Sequence, residues 1–141
     1  MAGFRESGEG AVAITATFTA DSILPAMRFV LQEAGIKLDV RLAPYNQLFQ
    51  ELLSSASLLR TNENGVNVIL VRVEDFVRDA EDFEEALTII ERIALELANA
   101  LSYYAEHVKV ATVLAVMPPS PRAGAALLSQ LDTATAALIK S

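Results

Sequence analysis

Few side chains in this sequence are able to carry chemistry, and their positions decide which chemistry they suit. Hydrolysis through a serine or threonine needs a base within hydrogen-bond reach of the hydroxyl. The chain has one histidine, His107, and it directly precedes the apolar run Val108 to Val116. It therefore falls at the amino end of a strand, where it reads as a surface residue closing a helix. The hydroxyls and carboxylates placed to share a site lie elsewhere. Thr15, Thr17, Thr19, Asp21 and Ser22 end or follow the first apolar run, and Arg72, Glu74 and Asp75 end or follow the third. Cysteine is absent, which removes thiolate chemistry and disulfides. An aspartyl phosphoryl intermediate would want Asp-x-Asp after a strand, and no such tripeptide occurs. The turn TFTADS holds no glycine to wrap a phosphate. Glu74–Asp75 reads as a solvated loop before it reads as a cation site. The acidic run Glu81–Glu85 reads as a helix start. No metal and no cofactor is expected.

These residues must be positioned by regular elements, and the chain alternates strand and helix patterns. Ala11 to Phe18 is apolar on both faces, as a central parallel strand requires. Asp21 or Ser22 is expected to cap a helix with Pro25 in its first turn and Ile23, Met27, Val30, Leu31 and Ala34 as its buried stripe. Gly35 would end that helix. Ile36 to Leu42 reads as a second strand near a sheet edge. Pro44 is expected to open a helix with Leu48, Phe49, Leu52, Leu53 and Ala56 on its apolar face. Thr61 to Gly65 is a turn, and Val66 to Val73 a third strand. Asp79 to Tyr104 reads as one long helix, or a helix with a short preamble. Val108 to Val116 is the fourth strand, stopped by MPPSP, and Gly124 to Lys140 a final Ala-rich helix.

Strands alternating with helices of this length imply an α/β fold: an open parallel sheet of about four strands, helices on both faces and right-handed crossovers. The economical arrangement is the flavodoxin-like order 2-1-3-4. Residues 1–10 read as a flexible leader and 11–141 as a single α/β domain. In such a sheet, ligands bind outside the carboxyl ends of the strands where the order reverses. That places a crevice between the segments after strands 1 and 3. Tyr45, Asn46 and Gln47, just beyond strand 2, lie on the same rim as a polar patch suited to partner contact.

At 141 residues and 52% hydrophobic composition the chain has room for one core. A net charge of −7 with 11 scattered basic residues argues against nucleic acid. No apolar run is long enough to cross a bilayer, and no signal-peptide pattern opens the chain. The expected location is the cytoplasm.

Three stretches together carry a family resemblance: AITATFTADSILPAM, RLAPYNQLFQELL and GVNVILVRVEDF. They resemble the N-terminal region of FkbH-like proteins, glyceryl-transferring members of the haloacid dehalogenase superfamily found in polyketide and nonribosomal peptide biosynthesis. The resemblance spans roughly residues 11–120. It implies an SGNH-hydrolase-like α/β fold and a place beside an acyl carrier protein. It also implies that the nucleophilic serine of active SGNH hydrolases would fall near Thr17 and their oxyanion-hole Asn at Glu74, where a carboxylate would repel a developing oxyanion. The Asp-x-x-His block and the phosphatase-like domain have no counterpart. The expected function is therefore a noncatalytic structural or docking domain of a megasynthase or FkbH-like accessory protein, as part of a longer polypeptide. It would contact neighbouring domains or an acyl carrier protein. The alternative is a residual esterase or acyltransferase using Thr17 or Ser22 with Asp75 on a carrier thioester. A nucleotide- or flavin-binding module fits the topology but lacks a phosphate loop. The candidate binding rim comprises Thr17, Thr19, Asp21, Ser22, Tyr45, Asn46, Gln47, Glu74 and Asp75.

Overall fold

The computed structural model describes residues 10–117. The leader before Gly10 and the helix expected at Gly124–Lys140 lie outside the described residues.

Alternating strand and helix patterns produce four parallel strands. These are β1 (Ala11–Ala16), β2 (Asp39–Leu42), β3 (Gly65–Arg72) and β4 (Ala111–Met117), in the order β2-β1-β3-β4. The sheet is α/β and open, as its sequence pattern predicts. Every residue of β1 is buried because the strand has a neighbour on each side and is covered on both faces. Its register with β3 pairs Ala11 with Gly65 and Ala16 with Leu70. Gly65 is held at φ 121°, and a Cβ there would overlap the carbonyl oxygen of Ala11, so only glycine lets the two strands start together.

The helices are α1 (Leu24–Glu33), α2 (Leu48–Leu53), α3 (Leu58–Thr61) and α4 (Phe83–His107). Side chains alternate across β1. Ala13 joins the core under α2 and α4, with Leu48, Leu52, Leu59, Ile69, Val71 and Leu97. Val12 and Ile14 join Val40 beneath Ile23, Leu24, Met27 and Leu31 at the other face. Helices therefore flank both faces. The long helix α4 begins where Asp82 accepts a hydrogen bond from the Glu85 N–H at 2.8 Å, while Glu85 accepts from the Glu81 N–H at 2.6 Å. Its buried residues Ala86, Ile90, Leu97, Ala100 and Tyr104 keep helical spacing.

Several local expectations are corrected. Pro44 does not open a helix, because Asn46 sits in the left-handed region at φ 59° and α2 begins only at Leu48. The apolar stripe through Ala56 is split. Ser54 adopts extended backbone and ends α2, and the Ser57 side chain accepts from the Arg60 N–H at 3.1 Å to start α3. Neither Asp21 nor Ser22 caps α1 by its side chain. They form a short 3-10 turn, Asp21–Ile23, ahead of the helix. Val30 and Ala34 are exposed on the flank of α1, since that helix rests on the sheet through Ile23, Leu24, Met27 and Leu31. Strand β2 is shorter than expected, and Ile36 is exposed in the connection before it.

Candidate functional site

The rim at the carboxyl ends of β1 and β3 is built by strand register. Thr17 lies one residue past β1, yet its N–H still bonds the Leu70 carbonyl at 3.1 Å. This fixes its side chain on the same face as Ala13 and Thr15. After Arg72 the chain tightens into a 3-10 segment, Val73–Val77, whose buried Val73 and Val77 anchor it to the core. That turn aims the Asp75 carboxylate back at Thr17.

The crevice expected between β1 and β3 is consequently filled by its own side chains. The Thr17 hydroxyl donates to Asp75 Oδ2 at 2.9 Å and accepts from the Arg72 N–H at 2.9 Å. Asp75 also accepts from the Arg72 guanidinium at 2.9–3.2 Å and from Arg78 Nη2 at 2.6 Å. Its side chain is 6% exposed, against 34% for Arg72 and 55% for Arg78. The guanidinium of Arg72 lies 5.1 Å from the Phe18 ring centre. Arg78 Nη1 reaches the Tyr45 hydroxyl at 3.4 Å, tying the loop after β2 to the loop after β3. The hydrogen bond to Asp75 holds the Arg72 guanidinium above its ordinary range, and bonds to Tyr45 and Asp75 do the same for Arg78.

The geometry limits the chemistry. Thr17 has its proton committed to Asp75 and an oxygen lone pair committed to a backbone N–H. Asp75 receives two guanidinium groups in addition to that hydroxyl. The Arg72 N–H, placed where an oxyanion donor would be useful, is consumed by Thr17 itself. Glu74 is half-buried beside this network.

The structure divides the remaining rim residues. Thr19, Asp21 and Tyr45 line a separate cavity of about 470 Å³ at the carboxyl ends of β1 and β2, together with Phe18, Leu24 and Arg28. Ser22 is exposed in the turn before α1. Asn46 supplies the left-handed turn residue, and Gln47 precedes α2 without a side-chain capping bond. Thr15 is fully buried in the sheet, and its hydroxyl has no hydrogen-bond partner among the described residues. His107 is exposed at the end of α4, with Nδ1 2.8 Å from the Tyr103 carbonyl and its ring against Tyr103. It stands at the amino end of β4, opposite the rim, as its position in the sequence predicts.

A larger cavity of about 600 Å³ opens at the amino rim beside Gly10, Lys37, Asp39, Arg41 and Glu63. Its charges are largely spent on one another or on neighbours. Arg41 pairs with Asp39 at 3.0 Å and Lys109 with Glu63 at 2.9 Å.

Two polar groups, one in the core and one on the rim, escape a reading of the sequence. Asn67 is fully buried in the apolar strand β3 and donates to the Leu59 carbonyl and to Tyr104 Oη, each at 2.8 Å. Asn62 donates to Asn67 Oδ1 at 3.0 Å, and Thr112 meets Tyr104 Oη at 2.7 Å. An asparagine inside VNVILVRV is the signal for such a network, because a buried amide needs partners. Arg28 is the second, since its spacing from Leu24 puts it on the cavity side of α1.

Among the described residues no group of three or more His, Asp or Glu could hold a metal ion, and no helix is long and apolar enough to cross a membrane. No family model matches the chain, and no curated protein or solved structure matches it either.

Proposed function

We propose that this chain is a noncatalytic α/β docking domain whose carboxyl rim contacts a neighbouring domain or an acyl carrier protein. In keeping with the resemblance described above, its setting would be a polyketide or nonribosomal peptide megasynthase or an FkbH-like accessory protein. The observation that carries the noncatalytic reading is the engagement of Thr17 with Asp75 and Arg72, which fills the place where a hydrolase of this topology keeps its nucleophile. The docking reading draws support from charge. The rim gathers Arg28, Arg72 and Arg78, three of the chain's 11 basic residues, on a protein of net charge −7. Asp21, Glu74 and Asp75 stand among them, so the rim carries charges of both signs, and the exposed guanidinium groups of Arg28 and Arg78 are the cations that an acidic partner would meet.

Titrating the isotopically labelled chain with candidate carrier or flanking domains tests the proposal. Amide shifts are expected in Phe18–Ser22 and Tyr45–Gln47. Shifts confined to the amino rim, or none with any such domain, would overturn it.

One observation favours a second reading, a residual esterase or acyltransferase. The Thr17 hydroxyl points its proton at a carboxylate, which is the first step in activating a nucleophile. That reading requires turnover of a short acyl thioester that disappears in Thr17→Val.

A further inference from the structure

We propose that the cavity between the carboxyl ends of β1 and β2 binds an amphiphilic monoanion, a carboxylate or phosphate group carried on an apolar stem. With the β1–β3 crevice filled, this cavity is a concavity that the described residues form on the carboxyl rim, displaced by one strand. Its volume of about 470 Å³ falls within the roughly 300–1,000 Å³ of small-molecule sites. Phe18, Leu24, Leu42 and Pro44 supply apolar wall, and Arg28 is the cation that lines it.

The position of Arg28 follows from the helix. Leu24 and Arg28 stand one turn apart on α1, on the side facing β2, where Arg28 Nη2 donates to the Val40 carbonyl at 3.4 Å. A guanidinium offers five N–H donors in a planar fork. Among the described residues that long bond is the one hydrogen bond Arg28 makes, and it joins no ion pair. The fork is therefore available to a carboxylate or phosphate. Asp21 lines the same cavity from the 3-10 turn that precedes α1. A carboxylate there disfavours a second negative charge on the ligand, so a monoanion with an apolar or donor-bearing far end fits best. The inference rests on reading this rim as a recognition surface, but its test uses small probes and so fails independently of the partner titration.

The full chain would be titrated at about pH 5.5, where octanoate and octyl phosphate are both mainly monoanions, by calorimetry and amide chemical shift with these two and the neutral octan-1-ol. At least one anion is expected to bind tenfold or more tighter than the alcohol, with shifts centred on Phe18–Asp21, Arg28 and Tyr45. Tighter octanoate assigns a carboxylate and tighter octyl phosphate a phosphate. Arg28→Met is expected to bring the anion down to the affinity of the alcohol while leaving the unfolding midpoint unchanged, because Arg28 is exposed. Should that variant unfold, Arg28→Gln reads the same loss. Equal binding of anion and alcohol, undiminished binding in the folded Arg28 variant, or shifts centred on the amino rim would overturn the site.

Discussion

Thr17 Oγ1 stands 2.9 Å from Asp75 Oδ2, joining the ends of two strands across 58 positions of sequence. The contact locks the carboxyl rim at the point where strand order reverses, and Arg72 and Arg78 hold the carboxylate from its other sides. The rim's cohesion and the engagement of Thr17 and Asp75 have the same cause.

Removing the hydroxyl should therefore weaken the fold. Thr17→Val leaves Asp75 Oδ2 and the Arg72 N–H short of a partner, and the expected loss is about 1–3 kcal/mol. Asp75→Asn strips charge from both guanidinium contacts and should cost at least as much. Chemical denaturation of both single variants and the double variant checks this. The double variant is expected to be less destabilised than the sum of the two, because the residues share one bond.

Buried Glu51 gives the fold a pH dependence of definite sign. Burial pushes its carboxyl above the ordinary value of 4.5, although hydrogen bonds from the Leu59 and Leu58 backbone and from Ser57 oppose the shift. A raised carboxyl pKa means the folded state holds the proton more tightly than the unfolded chain. This group's contribution is thus most favourable below pH 4.5 and declines as pH rises from there through the raised folded value. Glu51→Gln keeps an oxygen for the Leu59 N–H, which Glu51 Oε1 accepts at 3.1 Å. Unfolding midpoints measured from pH 4 to 8 should show that decline in the parent chain and a smaller one in the variant.

Thr15 presents the opposite case to Thr17. Its hydroxyl is buried without a partner among the described residues, so the folded state carries its desolvation with no return. Thr15→Val fills nearly the same space with a methyl group. A stabilisation of about 1 kcal/mol is expected, read as a rise in the denaturation midpoint. A loss of stability would point instead to a role for the hydroxyl inside the core.

The contrast between these two threonines marks what sequence can convey. The buried run AVAITA and the β-branched run GVNVILVR announce central strands through composition, and from them the order 2-1-3-4 follows by topology. Thr17 and Asp75 are both legible as rim residues. Their mutual engagement is not, because it depends on strand register and on the 3-10 turn that swings Asp75 back. Thr19, Asp21 and Tyr45 are likewise legible as rim, but β1 separates their cavity from the Thr17 cluster. The helix expected from Pro44 fails for a local reason. Asn46 adopts a left-handed turn, and Ser57 caps a new helix where apolar spacing alone suggests continuity. Arg78 and Arg28 carry the electrostatics of the rim, yet an arginine on a helix or turn gives no sign of which strand end it will reach.

The central claim is that this rim recognises and does not catalyse. The most direct measurement is steady-state hydrolysis of a short acyl thioester by the purified chain, run beside Thr17→Val and Ser22→Ala. The proposal predicts release no faster than buffer alone in all three, because Thr17 and Asp75 are spent on one another. Turnover in the parent chain that vanishes in either variant, with that variant still folded, would contradict it.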